Sequence, residues 1–578
     1  MIDQGYEFEF DQFGNTKQIK VKVRRDAVLN NHYLNKGTHF SEAERQQFEI
    51  DGALPPHPMS LDEQVEVCTG ILENKSDDIE KYIYLRSLFD RNVTVNHAVL
   101  KKNIKKYLPI VYTPTVGQAC QQFSEIVRKA SGITFYPGNI DNAEEILSRY
   151  RHRDIRVAVV TDNAGILGIG DQGAGGINIC IGKLQLYTQG AGIAPWHCLP
   201  ISLDVGTNSQ TLLNNPDYLG HRGKRLSGRA YDEFIEKFAT AFKKIFPDAL
   251  CQWEDFSKQD AFTIKDKYLK KMVSFNDDIQ GTGAIALAGI LAAVKFKNEK
   301  ITDQNFLIYG AGAGGVGITT QIFSALIEHG LSEKQAKSHI FTMDSKGLIT
   351  SNRNLESYKQ DFANDPDDLP WFNDPKDNSL ENIVKQGKIT VLIGTSAQAN
   401  AFNKKIVTQM CKNCERPLIL PMSNPTEKAE VTPEDIYRWT NGKALVAAGS
   451  PFNPVMHNNE EIRIGQCNNF FVFPGIGLGI IASGAKEVLP SFFTAAATAV
   501  VENIKDEDFK KGILLPRIDQ VREISRDVAL AVGKAAIDAG VCKKTPFSEF
   551  NHNNDISRLE TIIDKMRWTP DYVELIPV

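Results

Sequence analysis

The sequence predicts an α/β protein with two sheet-and-helix domains behind a mainly helical N-terminal region. Three observations carry that prediction. From about residue 126 onward, short apolar runs that read as buried strands alternate with helical patterns, as parallel sheets require. A glycine cluster, Gly310-Ala311-Gly312-Ala313-Gly314-Gly315, lies between a strand, NFLIY, and an amphipathic helix, VGITTQIFSALIEHG. Two other strands end in paired carboxylates, Glu254-Asp255 and Asp277-Asp278.

The first 125 residues carry amphipathic stretches such as DDIEKYIYLRSLFDRNV and HAVLKKNIKKYL, which read as helices. Residues 126–279 hold IRVAVVTD, LPISLDV, ALCQWEDF and MVSFNDD as strands, with YDEFIEKFATAFKKIF as an intervening helix. That α/β domain is expected to be completed by the helical residues 465–540, which pack back on it. Residues 280–464 form a second series: the helix GTGAIALAGILAAVKF, the strands NFLIY and SHIFTMD, and then TVLIGTS, PLILPMSN and ALVAAG. Residues 541–578 are expected to be a C-terminal tail. A chain of 578 residues is long enough for two to four domains, and 42% hydrophobic with 24% charged residues is ordinary globular composition.

The net charge of −5 gives no basic footprint for nucleic acid. The start, MIDQGYEFEFDQ, has no apolar run of the kind a targeting signal needs. The most apolar late stretch, IGLGIIASGA, is shorter than the ~20 residues of a membrane span. The expected location is therefore the cytoplasm, with no membrane partner. Nine scattered cysteines read as reduced thiols, and the Cys411–Cys414 CxxC spacing reads as incidental without a second pair to complete a zinc site.

The cluster at 310–315 fits GxGxxG through Gly310, Gly312 and Gly315, and it stands where a tight turn feeds a helix N-terminus. Backbone at Gly310, Gly312, Ala313 and Gly315 would hold the pyrophosphate of a dinucleotide, and Asp344, closing the next strand, would accept from ribose hydroxyls. This is a Rossmann-type arrangement, and an acid at Asp344 favours NAD. Ser345, Lys346 and Lys359 keep NADP open as an alternative. A second match, Gly168-Ile169-Gly170-Asp171-Gln172-Gly173, lacks the downstream strand-end acid and reads as a loop needing close backbone approach elsewhere.

If the strands ending in Glu254-Asp255 and Asp277-Asp278 are parallel neighbours, all four acids share one sheet rim. Such a cluster repels itself unless a cation sits among its members. Oxygen ligands with no His or Cys beside them point to Mg²⁺ or Mn²⁺. The bland reading is that Asp278 caps the following helix. Lys183, in the apolar run ICIGKLQLY, would have a lowered pKa if desolvated and so serve as a general base. Tyr112, in VYTPTVG, is a candidate proton donor.

Taken together, LNKGTHF (34–40), YTPTVG (112–117), TDNAGILGIGDQG (161–173), GKLQLYT (182–188), WEDF (253–256), FNDDIQGTG (275–283), GAGAGG (310–315), SNPT (423–426) and CNNFFVFPGIGLG (467–479) resemble the malic enzyme family over nearly the whole chain. The resemblance implies oxidative decarboxylation of L-malate to pyruvate and CO₂ with reduction of NAD. It implies Lys183 as general base, Tyr112 as general acid, Glu254, Asp255 and Asp278 as metal ligands, and Asp277 as the acid supporting them. It also implies that Asn424 and Asn468 contact cofactor and substrate, and that the chain is a homodimer or homotetramer. One block departs: where the family reads TDGER, this chain has Thr161-Asp162-Asn163-Ala164-Gly165, so the arginine that helps hold a substrate carboxylate is Gly165 here. That leaves two alternatives, a malolactic enzyme converting malate to lactate and CO₂ with bound NAD, and a catalytically weak NAD-binding regulatory relative.

Overall fold

The computed structural model of the chain describes residues 5–372, 378–549 and 556–578. Its first element is not helical. β1 (Tyr6–Phe10) and β2 (Thr16–Val21) pair antiparallel. The Asp11 carboxylate closes their turn by accepting from the Phe13 and Asn15 amides at 2.8 and 2.9 Å. The C-terminal strand, Glu574–Pro577, pairs parallel with β2. The stretch expected as a tail thus supplies the third strand of the N-terminal sheet, preceded by the helix Ile556–Met566. Helices then follow at Leu61–Glu73, Asp78–Arg91, Val93–Lys102 and Ile104–Val111. Ser60 and Glu63 close a capping box that starts the first of these.

The first α/β unit is a five-stranded sheet: β3 (Ile133–Phe135), β4 (Val157–Thr161), β5 (Cys198–Leu203), β6 (Leu250–Trp253) and β7 (Ser274–Asn276), in the order β3-β5-β4-β6-β7. Every pairing in it is parallel. Its strands are buried almost throughout because both faces are covered. One cover is α1 (Ile177–Leu186), in which every residue is buried.

α2 (Thr282–Lys297) leads into the second unit. Its seven-stranded sheet comprises β8 (Phe306–Tyr309), β9 (Ile340–Asp344), β10 (Gly347–Leu348), β11 (Val391–Gly394), β12 (Leu418–Pro421), β13 (Leu445–Ala448) and β16 (Gly465–Gln466). The hairpin β14 (Val455–His457) and β15 (Glu460–Ile462) stands between the last two. Strand order is β10-β9-β8-β11-β12-β13-β16, parallel except for β10. The order reverses beside β8, which opens a crevice at the carboxyl ends of β8 and β11. α3 (Ala313–Glu328) starts at that crevice.

Glycines set how closely the layers approach. A Cβ at Gly317 of α3 would stand 2.1 Å from the Ile279 carbonyl oxygen, and one at Gly283 of α2 would stand 2.7 Å from the Gly317 oxygen. The start of the dinucleotide unit therefore lies directly on the segment that follows β7. α4 (Phe473–Ser483) uses Gly475 and Gly479, one turn apart, to approach the helix Val521–Asp538. Gly477 faces Tyr187. This tight packing explains why IGLGIIASGA is both apolar and glycine-broken. The helix Asp277–Lys297 is long and apolar, yet 72% of its apolar window is buried inside the protein.

Candidate active site

β6 and β7 are parallel neighbours with Trp253 opposite Asn276. The residues that follow each strand, Glu254-Asp255 and Asp277-Asp278, consequently emerge side by side on one rim. Oxygens of Glu254, Asp255 and Asp278 lie within 4.8 Å of one another. Asp255 is held left-handed, at φ 55°, an unfavourable conformation for a non-glycine residue that its surroundings must impose. Both sides of its backbone are gripped: its amide donates to Asp278 Oδ2 at 2.8 Å, and its carbonyl accepts from the Gly165 amide at 2.7 Å. Asp278 does not cap the helix after it. Asn276 does, accepting from the Ile279 amide at 3.0 Å.

Burial raises the pKa of all three clustered acids, Lys183 opposes it, and repulsion from neighbouring acids adds to it. Glu254 and Asp255 are driven well above the carboxylate range, and Asp278 is pushed up to about 6. Asp255 Oδ2 is buried without a hydrogen-bond partner. Three converging carboxylates with an orphaned oxygen among them fit a hard divalent cation, which supplies the missing partner and the missing charge.

Lys183, on α1, is 1% exposed and reaches this cluster from the side. Its ammonium pairs with Asp277 Oδ2 and lies 2.8 Å from Glu254 Oε1. The expectation of a lowered lysine pKa is corrected here. Burial does pull it down, but the adjacent Asp277 and Glu254 charges outweigh burial and hold it well above the ordinary lysine value. In this state Lys183 is an ammonium. It also faces two rings, with centroids at 4.6 Å (Phe473) and 5.3 Å (Tyr112). Tyr112 follows the helix Ile104–Val111 directly, and burial raises its phenol pKa far enough to keep it protonated.

Of the two asparagines expected to meet substrate or cofactor, Asn424 is exposed, and its Oδ1 accepts from Ser450 Oγ at 2.6 Å. Asn468 turns back on its own segment, accepting from the Phe470 amide at 3.1 Å. Its neighbour Asn469, which the sequence reading passed over, is the one that reaches the lysine pair. Asn469 Nδ2 donates to the Asp277 carbonyl at 3.1 Å, Asp277 Oδ2 at 3.2 Å and Thr282 Oγ1 at 3.1 Å.

The glycine loop is a tight turn with little room for side chains. Gly310 has φ 123°, and a Cβ there would stand 2.6 Å from the Thr395 carbonyl. Gly312 is the residue before α3, Ala313 begins the helix, and a Cβ at Gly315 would stand 1.7 Å from the Gly310 oxygen. Asp344 ends β9 as expected, but its carboxylate is already engaged. Arg353 grips it with one nitrogen at 2.7 and 2.8 Å, and Lys359 stands at 3.3 Å. Burial pushes the Asp344 pKa up, and these cations together with the Lys346 amide bring it below the usual range. The second glycine cluster, at 168–173, turns the chain after Gly165 so that α1 can present Lys183. Gly168, Gly170 and Gly173 all have positive φ. The Cys411 and Cys414 thiols are free and join no cluster of metal-ligating side chains among the described residues.

Gly165 lies against the segment that carries Asp255. A Cβ at that position would be 2.5 Å from the Phe256 carbonyl oxygen and 3.1 Å from that of Asp255. Where the family pattern carries an arginine, this backbone leaves no room for any side chain without movement.

Known proteins match this chain along nearly all of its length. The family description "Malic enzyme, N-terminal domain" fits residues 89–269, and "Malic enzyme, NAD binding domain" fits residues 279–537. A protein named NAD-dependent malic enzyme from Shewanella frigidimarina is 40% identical over 560 residues, 96% of this chain and 98% of its own length. One of the same name from Photorhabdus laumondii is 41% identical over 541 residues, 93% of this chain and 94% of its own. The crystal structure of Entamoeba histolytica malic enzyme has the same fold, with a TM-score of 0.54 at 20% identity, covering 90% of this chain and 91% of that one. Malic enzyme from Pyrococcus horikoshii gives 0.51 at 22% identity, covering 80% and 92%. The chain belongs to the malic enzyme family.

Proposed function

We propose that this chain oxidatively decarboxylates L-malate to pyruvate and CO₂ while reducing NAD, with Lys183 as the general base and a Mg²⁺ or Mn²⁺ ion held by Glu254, Asp255 and Asp278. The observation that carries the proposal is the buried Lys183 ammonium touching both the Glu254 ligand and Asp277, on a rim that adjoins the phosphate loop. When bound, the metal would supply a Lewis acid for the C2 oxygen and for the charge left by CO₂ loss, and NAD would supply the hydride acceptor.

The residues themselves account for the proton movements. Lys183 is held as an ammonium by two carboxylates. A cation on Glu254 would compete with Lys183 for that carboxylate and lower the lysine pKa; with its proton released to water, the neutral amine would then take the malate hydroxyl proton. Asp277, wholly buried and itself fixed by Asn469, keeps the amine aimed at the site through the transfer. Tyr112, kept protonated by burial, is the group that can give a proton to C3 after CO₂ leaves, and the nearby ammonium can restore it. Gly310, Gly312, Ala313 and Gly315 would hold the pyrophosphate through backbone amides, with Asp344 toward the ribose. Asn424 and Asn468 are retained as candidate cofactor and substrate contacts.

Steady-state NADH formation from malate, NAD and Mn²⁺ tests the proposal, with Lys183→Ala and chelation by EDTA as the two controls. A loss of at least 10²-fold in kcat in Lys183→Ala, and abolition by EDTA, is expected from removing a general base and a Lewis acid. Unchanged turnover in either control would overturn the assignment.

A further inference from the structure

Glu254 is held at both ends. Its Oε1 lies 2.8 Å from Lys183 Nζ, and its Oε2 accepts from Gln252 Nε2 at 2.8 Å. Gln252 is in β6, two residues before Glu254, so both side chains project to the same side of the sheet. It is wholly buried. Its own carbonyl, Oε1, accepts from the Tyr187 hydroxyl.

Tyr187 is also wholly buried, and it continues α1 four residues after Lys183, on the same face of the helix. Its ring has nowhere else to go. It meets Phe473 edge-on at 5.0 Å, and the Gly477 backbone is so close that a Cβ there would stand 2.5 Å from Tyr187 Cε1.

The polarity of this chain of hydrogen bonds is set by chemistry. As a cation ligand Glu254 is ionised and only accepts, so the amide must turn its nitrogen to Glu254 and its oxygen away. The Tyr187 hydroxyl donates to that oxygen, completing the orientation that the carboxylate end sets. We infer that Tyr187 and Gln252 are a positioning pair that fixes the Glu254 carboxylate for the divalent cation, so that one helix carries both the base and the support of a metal ligand. The inference rests on the metal reading above, and neither residue touches substrate.

Its test is Mn²⁺ binding by electron paramagnetic resonance of the full chain, with no malate or NAD present, in the wild type, Tyr187→Phe and Gln252→Leu. Tyr187→Phe keeps the ring and its packing. It removes only the hydroxyl, leaving the buried Gln252 carbonyl unpaired and the amide free to turn. Loss of such an outer partner is expected to raise the Mn²⁺ Kd by about tenfold or more in both variants. NAD affinity, measured separately, is expected within about twofold of wild type, because the pair does not reach the phosphate loop.

Melting temperature in EDTA separates positioning from packing. A drop in metal-free melting temperature with an unchanged Mn²⁺ Kd overturns the inference, as does an unchanged Kd in both variants with no drop. Failure of the wild type to bind Mn²⁺ would overturn the metal reading and this inference with it.

Discussion

Replacing Gly165 with alanine adds a single methyl group, and the structure fixes what that methyl meets. Its Cβ would lie 2.5 Å from the Phe256 carbonyl oxygen, where ordinary contact begins at 3.4 Å. The neighbouring backbone must retreat by about 0.9 Å, and this is the segment that carries Asp255. That residue keeps its left-handed φ of 55° through two backbone hydrogen bonds, one of them from Gly165 itself at 2.7 Å. Overpacking of this kind costs about 1–3 kcal/mol of stability. A displacement near 1 Å at a reacting centre costs about 10²-fold in rate. The assay is kcat with saturating malate and NAD across a Mn²⁺ titration, alongside Gly70→Ala, whose added methyl meets nothing within 4 Å. The expected result is a fall in kcat of about 10²-fold with weakened Mn²⁺ dependence for Gly165→Ala, and wild-type behaviour for Gly70→Ala. Wild-type kcat and Mn²⁺ dependence in Gly165→Ala would refute the claim that this glycine supports the metal ligands.

Three further outcomes follow from the same geometry. The folded, metal-free chain raises the Asp278 pKa to about 6 and those of Glu254 and Asp255 further. Raised carboxyl pKa values contribute stability that is fully present below the unfolded values near 4 and is lost as pH rises through the folded ones. Metal-free melting temperature should therefore fall as pH rises from about 4 through about 6, while Mn²⁺ affinity rises about tenfold per pH unit for each proton displaced. A flat affinity profile over that window counts against the ligand set. Asp344→Ala removes the proposed ribose acceptor and frees Arg353 and Lys359 beside it. The KM for NAD should rise about tenfold, on the scale of one hydrogen bond to a charged group, and the ratio of NADP to NAD use should rise with it; an unchanged ratio in steady-state kinetics contradicts this. Asn469→Ala leaves Asp277 Oδ2 without its amide donor, so kcat should fall about tenfold with little change in the KM for NAD, and an equal loss in both would place Asn469 elsewhere in the reaction.

The acidic rim was legible because each pair of acids ends an apolar strand, and parallel neighbouring strands bring such ends together whatever surrounds them. The strand–glycine turn–helix at 306–328 was legible for the same reason, since its parts are contiguous in the chain. Charge states were not. The fate of the Lys183 proton depends on Asp277 and Glu254, 94 and 71 positions away, and only their joint approach reverses the effect of burial. The engagement of Asp344 by Arg353 and Lys359 was hidden similarly, because it depends on how the loop after β9 folds back. Gln252 reads as one polar residue within a buried strand until the Tyr187 hydroxyl is seen to meet it. Asn469 stood beside Asn468 in the same block, and only backbone direction separates their partners. At the N-terminus, YEFEF and TKQIKV alternate as strands do, but the strand that completes their sheet comes from residues 574–577, beyond the reach of local pattern.

The most direct measurement is the product balance of the purified chain given L-malate, NAD and Mn²⁺. The account predicts equal amounts of NADH, pyruvate and CO₂, with none formed in EDTA. Lactate and CO₂ without net NADH would contradict it.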